Sequence, residues 1–176
     1  FNDLVVGTYG RGYWILDDIT PLQQMTDEVT SSSAHLFEPR AAYRFRPVSE
    51  QYAMFDDQTD GEDPPPGASI NYWIGDGVEG PAELEISNAA GEVVRTLTGT
   101  TDPGVNRVWW NLQGEGIREI RLRTKPLYAD DIQLGEERTR PFPGGGGPQG
   151  AVGAFVQPPG DYTVTLRVGG ETFTQP

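Results

Sequence analysis

The chain has 176 residues, which is enough for one moderate domain or for a small domain with appended segments. Its 23 glycines and 15 prolines punctuate short apolar runs, a composition typical of turns between strands and against a helical bundle. A net charge of −13 disfavours nucleic-acid binding, the lack of cysteine excludes disulfides and thiolate metal sites, and no apolar run reaches the roughly 18 residues of a membrane span.

The first predicted element is a β-hairpin within residues 1–18. The runs LVVG and YWIL are rich in strand-forming residues, and the glycines of GTYGRG between them can adopt left-handed turn conformations. A lone two-stranded hairpin is marginal in water, so this one is expected to lie against other strands. A chain that opens on a finished hairpin, without a starting Met, is further predicted to be a piece of something larger.

Residues 19–66 are predicted to be a linker that wraps the following domain. The apolar spacing of Ile19, Leu22 and Met25 fits a short helix and an extended segment equally well. Residues 35–47 predict a short edge or linker strand that ends at a proline. Residues 48–67 are acidic, contain three consecutive prolines and predict an exposed connection.

Strand signals become dense in residues 67–176, so the fold class is predicted to be all-β. Leu84 and Ile86 alternate with Glu83 and Glu85, which gives the strand one dry and one wet face. Sheets of this kind bury their dry faces against each other or against a neighbouring domain. The predicted strands cover residues 68–74, 82–87, 92–98, 107–112, 118–123 and 161–168, followed by a Gly-Gly hairpin, at a spacing typical of a sandwich of two antiparallel sheets.

A glycine- and proline-rich segment at residues 140–160 interrupts this series of strands. It is too long for an ordinary hairpin loop, and such loops are either functional or mobile. Because it has no charged residue between Pro141 and Gly160, the sequence favours a mobile loop.

Residue types that carry catalysis are present, but they do not form a recognisable active site. His35 is the only histidine, so a two-histidine metal centre cannot form and any catalytic triad would have to be built on this residue. The glycine-rich loop at residues 7–12 lacks the lysine and the following helix of a phosphate-binding loop. The adjacent carboxylates Asp17-Asp18 and Asp130-Asp131 point to opposite sides of an extended chain, which does not suit an acid and base pair.

The acidic run at residues 56–63 has carboxylate oxygens of the kind that bind calcium. An EF-hand loop beginning at Asp56 requires a bidentate glutamate at its twelfth position, where this chain has Gly67. The run is therefore predicted to be a solvated linker, and the sequence predicts no catalytic residue, no metal site and no cofactor.

Two aromatic doublets are the strongest candidates for a binding site. Side chains alternate along a strand, so one member of each doublet must face away from the core. Outward-facing rings can stack on sugars, which makes Tyr72, Trp73, Trp109 and Trp110 candidate carbohydrate-binding residues. The alternative interpretation is that residues 13–46, or a neighbouring domain, cover the outward rings.

The stretch DLVVGTYGRGYWILDDITPL, followed by LFEPRAAYRFR, resembles the last propeller strands and exit segment of BNR-repeat, sortilin-like β-propeller proteins of the glycosyl-hydrolase-like type. The resemblance covers residues 3–46. It extends in part to the propeller Asp-box, since Thr8, Gly12 and Trp14 match, whereas Gly10 takes the acidic position. The resemblance implies that residues 1–18 belong to a terminal propeller blade.

A second resemblance covers residues 67–176. The stretches ELEISNAAGEVVRTLTG, GVNRVWWNL and PGDYTVTLRVGGETFTQP are similar to the immunoglobulin-like modules that follow such propellers, and to the module of flagellar hook-capping proteins. This resemblance implies an immunoglobulin-like β-sandwich. It also implies an extracellular or periplasmic location.

The function expected from these observations is that of a non-catalytic structural or accessory C-terminal module, with the remainder of its own propeller protein as its partner. Two alternatives stay open. One is a carbohydrate-binding module with a glycan as its partner. The other is a fragment that contributes to a glycosidase whose active site lies in the propeller.

Overall fold

A computed structural model of the chain describes residues 2–44, 64–116, 121–122, 128, 140–141 and 154–176. The acidic run at 56–63 and most of the segment at 140–160 lie outside the described residues. The chain divides into two compact units, the first formed by residues 1–112 and 159–176 and the second by residues 113–158.

The described part of the first unit contains nine strands and two short helices. In chain order they are β1 (Leu4–Gly7), β2 (Tyr13–Leu16), α1 (Thr20–Gln24), α2 (Asp27–Ser31), β3 (Ala34–Leu36), β4 (Ala68–Ile74), β5 (Ala82–Asn88), β6 (Val93–Gly99), β7 (Gly104–Trp110), β10 (Tyr162–Val168) and β11 (Glu171–Gln175). Strands β8 (Arg121–Leu122) and β9 (Arg140–Pro141) pair in the second unit, where the backbone N–H of Gly114 also donates to the carbonyl of Phe155 over 3.0 Å.

The strands of the first unit form three antiparallel sheets, which confirms the all-β prediction. One sheet has four strands in the order β11-β10-β5-β6, a second has three in the order β3-β4-β7, and the third is the hairpin β1-β2. All of the pairings are antiparallel.

The four-stranded and three-stranded sheets contribute their apolar faces to one hydrophobic core in a sandwich-like arrangement. Leu84 and Ile86 of β5 are fully buried, whereas Glu83 on the opposite face is exposed, as the alternation predicts. Each buried aliphatic side chain of this size stabilises the fold by about 2 kcal/mol. The core consists of Ala34, Leu36, Ile70, Tyr72, Ile74, Ala82, Leu84, Ile86, Trp110, Val164, Leu166 and Val168.

The loop between β6 and β7 is fixed by two polar side chains. Asn106 donates from Nδ2 to the carbonyls of Asp102 (2.8 Å) and Gly104 (3.1 Å), and its Oδ1 accepts from the hydroxyl of Thr100 at 2.6 Å. The hydroxyl of Tyr72 donates to the carbonyl of Thr100 at 2.6 Å. A buried tyrosine on one sheet is thereby tied to the loop that connects the two sheets.

The segment after the hairpin is more structured than the sequence indicates. Residues 20–31 form two short helices, and the hydroxyl of Thr26 caps the second by accepting from the N–H of Val29 at 3.3 Å. The strand predicted at residues 35–47 is wrong in its extent. In the described part of this range, the strand ends at Leu36. Phe37 still donates to the carbonyl of Asn71 at 3.1 Å, but Pro39 has no N–H with which to continue the ladder.

Candidate functional site

The β1-β2 hairpin exposes apolar side chains on both of its faces. Its register pairs Leu4 with Leu16 and Val6 with Trp14 on one face, and Val5 with Ile15 on the other. It pairs with no other described strand. Its large exposed side chains are Leu4, Val5, Val6, Tyr9, Tyr13, Trp14, Ile15 and Leu16, with exposed fractions between 46% and 107%.

The end of β2 leads directly into a buried carboxylate. Asp18 is 2% exposed and has a left-handed backbone conformation (φ 57°), which is uncommon for a residue other than glycine. Its carboxylate accepts hydrogen bonds from the hydroxyl of Ser69, from Nδ2 of Asn71 at 3.1 Å, and from the backbone N–H of Thr20 at 3.3 Å. The carboxylate that follows the hairpin is therefore bound to the outward face of β4.

The backbone of Asp18 is hydrogen-bonded as well as its side chain. Its N–H donates to Oδ1 of Asp3, just before β1, at 3.0 Å. Its carbonyl accepts from Nη2 of Arg107 on β7 at 2.9 Å, and Nη1 of Arg107 donates to the carbonyl of Asp17 at 3.1 Å. Because Nε of Arg107 also donates to Oδ1 of Asn71 at 2.7 Å, the contacts form one connected polar network, which we call the Asp18 network.

The electrostatics of the Asp18 network favour an ionised carboxylate. Burial alone would raise the pKa of Asp18, but hydrogen bonds from Ser69 and Thr20, and the positive charge of Arg40, outweigh burial and hold it below the ordinary value of 3.8. Nε of Arg40 lies 3.9 Å from Oδ1 of Asp18, and its Nη1 lies 3.4 Å from Oδ1 of Asp3. Asp18 is thus a charged acceptor at neutral pH.

Two of the four candidate carbohydrate-binding residues lie in the core. Tyr72 is completely buried and Trp110 is 4% exposed, and the ring of Trp110 packs edge-on against that of Tyr162 with 5.0 Å between centroids. The prediction that Tyr72 and Trp110 bind carbohydrate is therefore wrong. Both are core residues, and neither has a ring face available for stacking on a sugar.

The other two candidates, Trp73 and Trp109, are on the outward face of the three-stranded sheet, as the alternation of side chains requires. Trp73 is half-buried, and its Nε1 is buried without a hydrogen-bond partner among the described residues. Trp109 has the guanidinium of Arg107 5.9 Å from its ring centroid. Trp109 lines a cavity.

The cavity beside Trp109 is a groove of about 720 Å³ within the first unit. Trp109 lines it together with Val5 and Ile15, which share one face of the hairpin. The polar side chains that border it include Asn2, Asp3, Asp17 and Arg40, and the remaining lining residues are Ala41, Ala42, Tyr43, Pro64, Pro65, Pro66, Gly67, Ala68 and Ser69.

The remaining residues with catalytic chemistry do not converge on this groove. His35 lies on β3 with its ring 5.1 Å from that of Phe37 in an edge-on contact. Asp18 faces Ser69 and Asn71 and has no exposed side-chain surface. Among the described residues, no three His, Asp or Glu side chains form a group that could hold a metal ion, and no helix is long and apolar enough to span a membrane.

The polar residues Ser69, Asn71 and Arg107 are the part of this site that sequence reasoning missed. Ser69 and Asn71 alternate with the core residue Ile70 on β4 and are each 2% exposed. Two buried polar residues on the face of a strand opposite the core indicate that something covers that face. The sequence contained this signal, but it did not indicate that Asp18 is the covering group.

Comparison of the chain with protein-family models, with curated proteins and with solved structures gave no significant match. The propeller and immunoglobulin-like resemblances therefore enter the argument below only as proposals.

Proposed function

We propose that this chain is a non-catalytic structural module of a larger BNR-repeat β-propeller protein of the glycosyl-hydrolase-like type. In this proposal its hairpin completes a propeller blade and its sandwich braces the blade from outside. The observation that carries the proposal is the hairpin with exposed apolar side chains on both faces.

A sheet whose two faces are both apolar is suited to burial between two layers. A sheet that packs on one side only would alternate apolar and polar side chains, as β5 does in the sandwich. In a propeller each blade is a four-stranded sheet arranged around a central channel among neighbouring blades. The hairpin would supply two of the four strands, and the remainder of the protein would supply the other two strands and the flanking blades.

The strand order supports an immunoglobulin-like assignment of the sandwich. Seven strands divide into one sheet of four and one of three, which is the strand number of a constant-type immunoglobulin domain, but here the fourth strand of the larger sheet lies beside strand C and not beside strand E. In chain order β3, β4, β5, β6, β7, β10 and β11 correspond to strands A, B, C, C′, E, F and G, with sheets A-B-E and G-F-C-C′. Modules of this architecture commonly serve in cell-surface proteins, and we propose an extracellular or periplasmic location.

The test uses the gene that encodes the chain. We would read the coding sequence upstream of Phe1 for repeated blade motifs and co-express the encoded polypeptide with the 176-residue chain. We expect a one-to-one complex that is weakened by Trp14→Asp and by Ile15→Asp, which place a charge on opposite faces of the hairpin.

Thr98→Asp on the exposed surface of β6 is the matched control and should leave the complex intact. An upstream sequence without repeats, or a complex that tolerates both hairpin variants, would contradict the proposal.

A carbohydrate-binding function is the second candidate, and the groove beside Trp109 favours it. Pockets for small ligands combine apolar and aromatic walls with a few polar groups, as Trp109, Asp3 and Arg40 do here. Glycan-array binding that is lost in Trp109→Ala but kept in Trp14→Ala would support this function. Trp14 is a suitable control because it is an exposed tryptophan that does not line the groove.

A further inference from the structure

We infer that Asp18 is the positioning residue of the hairpin. The Asp18 network holds the base of the hairpin on the outward face of β4 and β7, so that the hairpin keeps one fixed orientation relative to the three-stranded sheet. This inference concerns the 176-residue chain itself, and it holds whether or not the hairpin enters a propeller blade.

The first argument is that the polar groups of Asp18 bind to segments far apart in the sequence. The carboxylate binds Ser69 and Asn71, more than 50 positions along the chain, and the carbonyl binds Arg107, 89 positions away. The N–H binds Asp3, on the other arm of the hairpin. Both ends of the hairpin are thereby held at one point of the sheet.

The second argument is that these bonds are shielded from water. Asp18, Ser69 and Asn71 are each 2% exposed, and a hydrogen bond in such surroundings is stronger than one in solvent. Because these groups bond to one another in one place, losing a single bond while the others hold leaves a buried polar group with an unmet hydrogen bond, which is unfavourable. Swinging the hairpin away from the sheet therefore requires the loss of several bonds together.

The third argument concerns the other contacts of the hairpin. Within the part of the chain that the structure describes, it shares no ladder of backbone hydrogen bonds with the other sheets, and its large apolar side chains are exposed. Among the described contacts, the polar network at its base is thus the main constraint on its direction. With the network intact the hairpin keeps one orientation relative to the sheet, whereas without the network its orientation varies.

The experiment measures the distance distribution between two spin labels on the full chain. Since the chain has no cysteine, Arg11→Cys at the hairpin tip and Ala89→Cys in the β5-β6 turn provide two unique labelling sites. We expect a single narrow distribution in this background. Asp18→Asn should widen the distribution by about a factor of two, because it removes the charge that the network binds while retaining a residue that tolerates a left-handed conformation.

Asp17→Asn is the matched control, because it makes the same chemical change one position away and removes no side-chain hydrogen bond of the network; it should leave the distribution narrow. A broad distribution in the unsubstituted background, or an Asp18→Asn distribution as narrow as that of the control, would overturn the inference. If Asp18→Asn does not fold, Arg107→Gln decides in its place. This variant cuts the bonds from β7 to the carbonyls of Asp17 and Asp18, and it supports the inference if the distribution widens and overturns it if not.

These outcomes are separate from those of the proposed function. A rigid hairpin that binds no upstream polypeptide would refute the propeller proposal and leave the role of Asp18 intact. A flexible hairpin that still binds would do the reverse.

Discussion

Asp18 and Asn71 are 53 positions apart in the sequence, yet Nδ2 of Asn71 donates to the carboxylate of Asp18 over 3.1 Å. This contact joins the end of the hairpin to β4 of the three-stranded sheet, although the hairpin forms a separate sheet. The first unit is therefore held together by two kinds of interaction, an apolar core between the two larger sheets and a buried polar network under the hairpin.

The first prediction is that Asp18→Ala destabilises the chain by roughly 3 kcal/mol. The substitution leaves the Ser69 hydroxyl and the Asn71 amide without their buried acceptor and places alanine in a left-handed conformation. Urea unfolding followed by circular dichroism measures the change. Asp17→Ala is the control and should cost less than about 0.5 kcal/mol, so equal losses for the two variants would contradict the assignment.

The second prediction concerns pH. Because the pKa of Asp18 is lower in the folded chain than its ordinary value of 3.8, its contribution to stability is fully present above about pH 3.8 and disappears as the pH falls through the lower, folded value. The charged groups around it are Asp3 and Arg40, with Asp17 and Arg107 beside its main chain.

The measurement is the difference in unfolding free energy between the unsubstituted chain and Asp18→Asn at a series of pH values. Both proteins share every other carboxylate, so the difference isolates Asp18. It should be constant from neutral pH down to about pH 5 and shrink below pH 3.8. A difference that stays constant throughout, or one that grows in acid, would show that Asp18 is not held in its ionised form by the network.

The sequence predicted strands β5 and β10 well because their side-chain pattern has one cause. The period-two alternation of β5 and β10 is the pattern of a sheet with one dry face, and turn residues mark the ends of these strands. The linker was predicted less well, because β3 has three residues and forms only by pairing with β4. Local sequence indicated a strand here but not its extent, because the extent depends on pairing with a distant partner.

The candidate site was predicted in part for a similar reason. Alternation showed that one member of each aromatic doublet faces outward. Tyr72 lies inside because it shares the inward face of β4 with Ile70 and Ile74, and its hydroxyl is satisfied there by the carbonyl of Thr100 in the β6-β7 loop. The Asp18 network was not predicted, because its members come from segments that meet only in the folded chain.

The third prediction is that Gly99→Ala destabilises the core more than Tyr72→Phe. A Cβ at position 99 would overlap the hydroxyl of Tyr72 and lie 2.9 Å from Cγ2 of Val108, so both neighbours must move, at a cost of about 1–3 kcal/mol. Tyr72→Phe removes one buried hydrogen bond, which costs about 1 kcal/mol.

Gly160→Ala is the matched control, since nothing lies within 4 Å of the added methyl group and its φ is not positive. Thermal unfolding should show no loss of stability for Gly160→Ala. If Gly99→Ala and Gly160→Ala had the same midpoint of thermal unfolding, the close packing of position 99 against Tyr72 would be contradicted.

The fourth prediction is that the isolated chain has no glycosidase activity. The buried Asp18 cannot reach a substrate, so the Asp17-Asp18 doublet cannot supply an acid and base pair. Sialidase and general glycosidase substrates should therefore give only background rates. Turnover that disappears on substitution of Asp17, Asp18 or His35 would refute a purely structural role.

The fifth prediction distinguishes the tryptophans by their environment. Trp14 is 67% exposed on the hairpin, whereas Trp110 is 4% exposed in the core. Iodide in solution should therefore quench the fluorescence of Trp14, and this quenchable fraction should disappear in Trp14→Phe. The fluorescence of Trp110 should stay protected from iodide. If the chain binds the propeller partner proposed above, Trp14 should become protected too, because burial of this face excludes the quencher. Protection of Trp14 in the unbound chain would mean that the hairpin already has a partner in solution, and the apolar faces that carry the proposed function would not be free to bind another one.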